Sequence, residues 1–203
     1  MHYALVRKKP HVRRNVNKRV LVINGSTREN GNTDAVLRSF MQGVSEGGLN
    51  VREAVLRNLT VNNCVGCCKC QKEKKCNFQD DMTELRDMVI KSDVLVFASP
   101  IYWCEITGLM KTFIDRLYFF HHKENSNLVA GKKALIITTL GEKDAAYESQ
   151  VLVDFYKRFF HSLQIEILDV LSFPDLMEKE ANVKKPEYSQ TAYKAGKKLS
   201  GTI

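Results

Sequence analysis

Five of the chain's six cysteines fall in one short run, Cys64-Val-Gly-Cys67-Cys68-Lys-Cys70-Gln-Lys-Glu-Lys-Lys-Cys76. Setting Cys68 aside leaves the spacing C-x2-C-x2-C-x5-C. Two-residue spacers let successive thiolates turn toward one centre, and three at that interval fit three corners of a cubane. A fourth, five residues on, closes a [4Fe–4S] site on Cys64, Cys67, Cys70 and Cys76. Gly66 relieves the tight turn, and the neighbouring lysines offset the negative charge of four thiolates. Other chemistries compete for the same residues. Structural zinc also takes four cysteines, but usually as two knuckles a dozen or more residues apart. Free thiols need no metal, and disulfides are disfavoured in a reducing cytosol. A cluster also explains how a long unpatterned loop is ordered. Cys68 is spare, as an exposed thiol or one beside the ligands.

A second stretch, VLVINGSTRENGNT at Val20–Thr33, is rich in anion donors. Val20 to Ile23 run apolar without alternation, like a strand buried on both faces of a parallel sheet. Asn24-Gly25 breaks the strand. Ser26, Thr27, Arg28, Asn32 and Thr33 then offer hydroxyls, an amide and a guanidinium just where a helix begins, so free backbone N–H groups point back into the loop. This is not the GxGxxG fingerprint of a pyrophosphate site. Many side-chain donors around a compact dianion suit a single terminal phosphate, such as that of flavin mononucleotide.

A third stretch, Ser99-Pro100-Ile101-Tyr102-Trp103, follows the apolar run Val94–Ala98. A rigid proline turn, backbone amides and two aromatic faces give a flat heteroaromatic ring a wall to lie against and donors for its polar edge. On their own, Tyr102 and Trp103 would read as caps on the core. Leu140–Asp144, with Gly141, is the natural third side. Cys104 reads as a small buried residue at a helix start. Lys111 and Asp115 read as a structural pair one turn apart, and His121-His122 as polar residues closing a helix, without a metal role.

These loops must be held by the elements between them. Thr33–Glu46 reads as a helix with Ala35, Val36, Phe40 and Val44 inward, stopped by Gly47-Gly48. Val51–Leu56 is a second strand. The stretch from Arg57 to Asp80 carries no period. Asp81 and Glu84 form a capping-box signature for a helix to about Lys91, with Leu85, Met88 and Val89 inward. A long amphipathic helix spans Ile106–Phe120. Ala134–Leu140 is a fourth strand, Ala145–Leu163 a helix, Ile165–Leu171 a fifth strand, and Glu187–Leu199 a last helix after a charged connector at Pro174–Pro186. The expectation is an α/β chain: a flavodoxin-like three-layer sandwich around a five-stranded parallel sheet of order 2-1-3-4-5. In that order the first and third strands lie side by side, and ligands bind at their carboxyl ends. Those ends carry the donor loop and the aromatic loop.

The chain has 203 residues, 44% hydrophobic and 27% charged, as befits one domain with a full-sized core. The net charge of +8 invites a nucleic-acid reading, yet residues 1–19 hold seven cations and no acid, leaving +1 for the remainder. The basicity therefore belongs to a terminal extension, and nucleic acid is not an expected partner. No apolar run approaches the ~20 residues of a membrane span, and no continuous apolar leader opens the chain, so a cytoplasmic location is expected. The organisation expected is a basic extension at 1–18 and a single flavodoxin-like domain at 19–203 with a cysteine-rich loop at 58–80.

Taken together and in order, VLVINGSTRENGNT, CVGCCKCQKEKKCNFQDDM and SPIYWCEITGLMKTFIDR resemble the iron–sulfur flavoprotein branch of the NADPH-dependent FMN reductase family, over about residues 19–171. The resemblance implies FMN and a [4Fe–4S] cluster near it. It also implies a homodimer or homotetramer with the flavin near a subunit interface. By motif, Ser26, Arg28, Asn32 and Thr33 would hold the phosphate, and Ser99 to Trp103 would contact the ring and ribityl chain. Cys64, Cys67, Cys70 and Cys76 would ligate the cluster. Cys68, the basic extension and Glu142-Lys143 depart from the family pattern, the last bearing on whether a nicotinamide reaches the ring.

The function expected is electron transfer between a one-electron donor, such as a ferredoxin, and a two-electron acceptor, with NAD(P)H as a further candidate partner. The alternatives are a cluster-free NAD(P)H-dependent FMN or quinone reductase and a non-catalytic, zinc-ordered binding module.

Overall fold

Runs of apolar residues too long for a half-exposed sheet alternate with amphipathic segments along this chain, and each becomes a strand or a helix. The computed structural model describes residues 18–203. The basic extension expected at 1–18 lies outside the described residues except for Lys18. In chain order the elements are β1 (Arg19–Asn24), α1 (Asn32–Glu46), β2 (Asn50–Val55), α2 (Lys69–Lys72), α3 (Met82–Lys91), β3 (Val94–Pro100), α4 (Gly108–Arg116), α5 (Lys123–Ser126), β4 (Lys133–Thr139), α6 (Ala145–Ser162), β5 (Glu166–Phe173) and α7 (Pro186–Leu199). Tight 3-10 turns occupy Leu56–Asn58, Leu117–His121 and Ala181–Lys184.

The five strands form one all-parallel sheet in the order β2-β1-β3-β4-β5, as expected. The central strands β1, β3 and β4 are buried along nearly their whole length, and the edge strands β2 and β5 are half-exposed. Alternate residues feed opposite faces. Leu21, Ile23, Leu95, Phe97 and Ile136 join α3, α4 and α6 in one apolar layer. Val20, Val22, Val94, Val96 and Ile137 join α1 and α7 in the other. Phe97 is a centre of the first layer, with ring centroids 5.0 Å from Phe160, 5.7 Å from Tyr156 and 6.0 Å from Phe113. A side chain of that size, fully buried, contributes about 1.5–3 kcal/mol. On the other face α1 and α7 touch backbone to backbone: a Cβ at Gly43 would lie 2.1 Å from the Tyr193 carbonyl oxygen, and one at Gly196 2.1 Å from that of Phe40. Among the described residues no helix is long and apolar enough to cross a membrane.

The departures from expectation are local. Asp81 adopts a helical backbone, and its side chain bonds no amide of α3. Its carboxylate accepts from the Thr60 amide at 2.7 Å instead, so the capping box does not form. Asp80 accepts from the Met82 amide at 3.2 Å in its place. The helix expected over Ile106–Phe120 is shorter, because extended Thr107 caps it with a hydroxyl that accepts from the Met110 amide. Its last turn tightens to 3-10.

Candidate functional site

The carboxyl ends of β1 and β3 are register partners, Asn24 beside Ala98, and the Gly25 amide donates to the Ala98 carbonyl at 2.8 Å. A Cβ at Gly25 would lie 2.9 Å from that of Met110, so glycine lets the donor loop pass against α4. Thr107 ties the same contact from the other side, its hydroxyl donating to the Gly25 carbonyl at 2.7 Å. Beneath the loop lies a buried polar hub that the sequence reading missed. The Asp34 carboxylate accepts from Asn24 Nδ2 at 2.7 Å, from the Asn30 amide at 2.8 Å and from both arms of Arg57. Arg57 also donates to the Ser26 carbonyl at 3.3 Å. The visible signal was an acidic residue in the first turn of a helix beside a donor-rich loop.

Above the hub opens a cavity of about 640 Å³, a volume typical of small-molecule and cofactor sites. Ser26, Arg28, Asn32 and Thr33 line one side, Pro100, Ile101, Tyr102 and Trp103 another, and Gly141 a third. The start of α1 has no side-chain cap, because Gly31 occupies the N-cap position. Its first-turn amides are therefore left to a ligand on this side. Arg28 spends one arm on the Met177 carbonyl, at 3.2 Å.

Three expected contacts are placed otherwise. Thr27 is exposed off the cavity wall and bridges the two loops, its hydroxyl 3.0 Å from that of Tyr102. Ser99 is buried behind the wall, where its hydroxyl accepts from the Thr107 amide at 3.1 Å. Asn32 reaches the cavity, but its amide donates to the carbonyls of Leu176 and Glu178 and its oxygen accepts from Asn182 N–H. It fastens the connector between β5 and α7 over the site, which brings Leu176 and Met177 into the lining. The sequence marks that connector only as a charged linker.

Trp103 and Cys104 occupy the two central positions of a tight turn, with φ of +51° and +64°, between Tyr102 and Glu105, which exchange backbone bonds of 2.9 and 3.1 Å. Such turns ordinarily take Asn-Gly. Two bulkier residues there store strain, a property that gathers at ligand sites. Trp103 stands 98% exposed at the tip. Cys104 is exposed on the rim rather than buried, because the turn projects it; its Sγ lies 3.7 Å from Glu148 Oε2. Desolvation and then the Glu148 carboxylate hold its thiol above the usual range, so it is a neutral thiol.

The other candidate site lies beyond the opposite end of α4. The loop at 58–80 is closed at its base by the Thr60 amide on Asp81 and the Asn62 amide on Asp80, at 2.7 and 2.9 Å. It is tied to α4 and the turn after it by Thr112 to Asn63 at 2.8 Å and Gln71 to the Tyr118 carbonyl at 2.6 Å. Gly66 takes φ of +64°, the left-handed turn expected of it. The five loop cysteines border one small cavity of about 30 Å³ with Phe78, Arg86 and Arg116. Burial raises the Cys70 thiol above its usual range, and beside it the charges of Cys76, Cys64 and Cys67 do the same, against an opposing hydrogen bond from Gln71. Those are the three other expected ligands. Cys68, with φ of +54°, turns its sulfur to the Gly66 carbonyl.

Among the described residues no group of three or more His, Cys, Asp or Glu is placed to hold a single metal ion. A four-iron cluster gives each thiolate its own iron, so its ligands stand further apart than those around one zinc. The loop's lysines are not the groups nearest a sulfur among the hydrogen bonds of this loop. Lys69 bonds Asn77 and Lys74 pairs with Glu124, while the cation against a sulfur is Arg116, whose Nη2 lies 3.3 Å from Cys76 Sγ.

A doubly wound parallel sheet with an uncapped helix start, a donor loop and an aromatic turn at its switch point defines the flavodoxin-like class of cofactor-binding proteins. The family model for NADPH-dependent FMN reductase matches residues 18–187. The chain belongs to the NADPH-dependent FMN reductase family. It is 33% identical over 130 residues to an iron-sulfur flavoprotein of Archaeoglobus fulgidus, covering 63% of this chain and 59% of that one. To an iron-sulfur flavoprotein of Clostridioides difficile it is 32% identical over 142 residues, covering 66% and 61%. The chain thus spans about three fifths of the length of these relatives. Among solved structures, a flavone reductase superposes with a TM-score of 0.71 at 20% identity, covering 90% of this chain and 62% of that one. An NAD(P)H:quinone oxidoreductase from Methanothermobacter marburgensis superposes at 0.68 with 16% identity, covering 90% and 95%. These two likenesses speak for the fold.

Proposed function

We propose that this chain is an FMN-dependent oxidoreductase with a [4Fe–4S] cluster on Cys64, Cys67, Cys70 and Cys76, passing electrons between a one-electron carrier such as a ferredoxin and a two-electron acceptor. The observation that carries the reading is that Cys64, Cys67 and Cys76 all act on Cys70 at one cavity, while Cys68, which also borders it, bonds the Gly66 carbonyl. When bound, the cluster supplies single electrons and the flavin exchanges them for pairs.

The protein's part is placement. The first-turn amides of α1, Ser26 and the remaining donors of Arg28 hold the terminal phosphate. Ile101 to Trp103 form the wall against the ring, and the Leu176–Met177 connector, pinned by Asn32, closes the cavity over it. Helix α4 spans the interval between the two sites, since its nine residues run about 14 Å at 1.5 Å each. Self-association belongs to the same proposal, because a second copy covering the exposed face of Trp103 would remove it from water.

Iron, sulfide and flavin quantitation on oxygen-free protein tests the reading. One FMN and about four irons per chain are expected. FMN without iron would instead favour a cluster-free NAD(P)H-dependent reductase, the reading the family's name supports. One zinc without flavin would favour a metal-ordered binding module.

A further inference from the structure

Arg116 closes α4, 40 residues beyond Cys76 in the chain, yet only 2% of its side chain is exposed. An arginine in the last turn of a surface helix ordinarily trails its charge into water. Here its hydrogen-bond partners come from the cysteine loop. Nη1 donates to the Asn62 carbonyl at 2.7 Å and to Asp80 Oδ2 at 2.6 Å. Nη2 donates to Asp80 Oδ1 at 3.0 Å and toward Cys76 Sγ at 3.3 Å. The guanidinium carbon also lies 5.1 Å from the centroid of the Phe78 ring. Asp80 already supplies the counter-charge that a buried cation needs. The contact with sulfur is additional to that pairing.

We propose that Arg116 is the positioning residue of the fourth ligand: it clamps the loop's entry at Asn62 to its exit at Asp80 and directs a charged N–H at Cys76, making the bound cluster easier to reduce. The inference rests on the cluster reading above and assigns the protein group that sets its potential. Reduction adds one negative charge, and a cationic donor to a ligating sulfur stabilises that charge. Asp80, in the same ion pair, partly cancels the cation's field. The two residues are thus a clamp mechanically and opponents electrostatically.

That opposition gives the test. Wild type, Arg116→Lys and Asp80→Asn are reconstituted anaerobically, assayed for iron, sulfide and FMN, and titrated redox-metrically with the cluster followed by electron paramagnetic resonance. Arg116→Lys keeps a cation but loses the forked N–H on sulfur. It is expected to retain iron and FMN and to shift the reduction equilibrium about tenfold toward the oxidised form, a fall of about 59 mV for one electron. Asp80→Asn is expected to shift it the opposite way. Variants that shift together, stay at the wild-type potential or both lose iron would give the pair a scaffolding role and overturn the inference. Should Arg116→Lys alone fail to load, Asp80→Asn decides: a raised potential supports the inference, and an unchanged or lowered one overturns it. A wild-type chain that takes up no iron overturns the cluster reading and this inference with it, whereas a loaded wild type beside unshifted variants overturns the inference alone.

Discussion

Arg57 holds Asp34 with both arms, at 3.2 and 3.0 Å, directly beneath the loop whose Ser26 carbonyl it also bonds. The pair is 23 residues apart in the chain and mostly buried, with Asn24 and Asn30 sharing the same carboxylate. Asp34→Ala would remove the counter-charge of the Arg57 guanidinium and an acceptor shared by Asn24 and Asn30. Breaking a buried pair from one side costs about 3 kcal/mol or more. The denaturation midpoint is expected to fall accordingly, with flavin affinity falling alongside because the donor loop loses its support. Wild-type stability in the variant would show the hub to be incidental.

Arg28 lines the cavity and has one arm on the Met177 carbonyl. A charge-assisted hydrogen bond is worth about 1.5–3 kcal/mol, roughly a ten- to hundredfold change in dissociation constant. Arg28→Ala is expected to weaken FMN by that factor while leaving riboflavin, which lacks the phosphate, unaffected. Equal loss for both ligands would place Arg28 at the ring rather than at the phosphate.

Cys67 and Cys68 are neighbours with different surroundings, the first among the charges that act on Cys70 and the second bonded to the Gly66 carbonyl. Cys67→Ala is expected to lose iron and loosen residues 58–80 in hydrogen exchange, with FMN still bound at one per chain. Cys68→Ala should keep the full iron content. Iron loss from Cys68→Ala with retention in Cys67→Ala would reassign the ligand set.

Burial raises the carboxyl of Asp80, but the hydrogen bonds from Arg116 and Asn62 outweigh it and hold the group at about 2. An aspartate in an unfolded chain titrates near about 3.9. The folded value is the lower, so this group stabilises the fold above about pH 4, and the contribution is lost as pH falls toward 2. The full effect is on the order of 2 kcal/mol. Denaturant titrations of the metal-free chain should show wild type losing its advantage over Asp80→Asn across that acid window. A constant difference between the two at every pH would contradict the assignment.

Much of the architecture was legible because it depends on neighbours in the chain. The apolar runs at Val20–Ile23, Val94–Ala98 and Ala134–Leu140 had no polar alternation, and a sheet covered on both faces follows from that. The spacing of Cys64, Cys67, Cys70 and Cys76 is likewise a local property, readable from the turns that two-residue spacers allow. The capping box failed for a reason absent from the local pattern, since the Thr60 amide, 21 residues away, took the carboxylate of Asp81. Asn32 read as a phosphate donor because its type and place suit one, but its partners are 144 to 150 residues distant and hold the connector instead.

The amino-acid order by itself determined the strand sequence, the crossing point where the donor and aromatic loops meet, and the cysteine spacing. Periodicity and backbone preference act over a few residues, so these needed no knowledge of packing. Only the tertiary structure decided which donors stay free for a ligand, which residues lie behind the wall, and that a buried arginine from α4 rather than a loop lysine faces the Cys76 sulfur. A hydrogen bond or ion pair belongs to whichever groups packing brings within about 3 Å, and that depends on how distant segments are brought together.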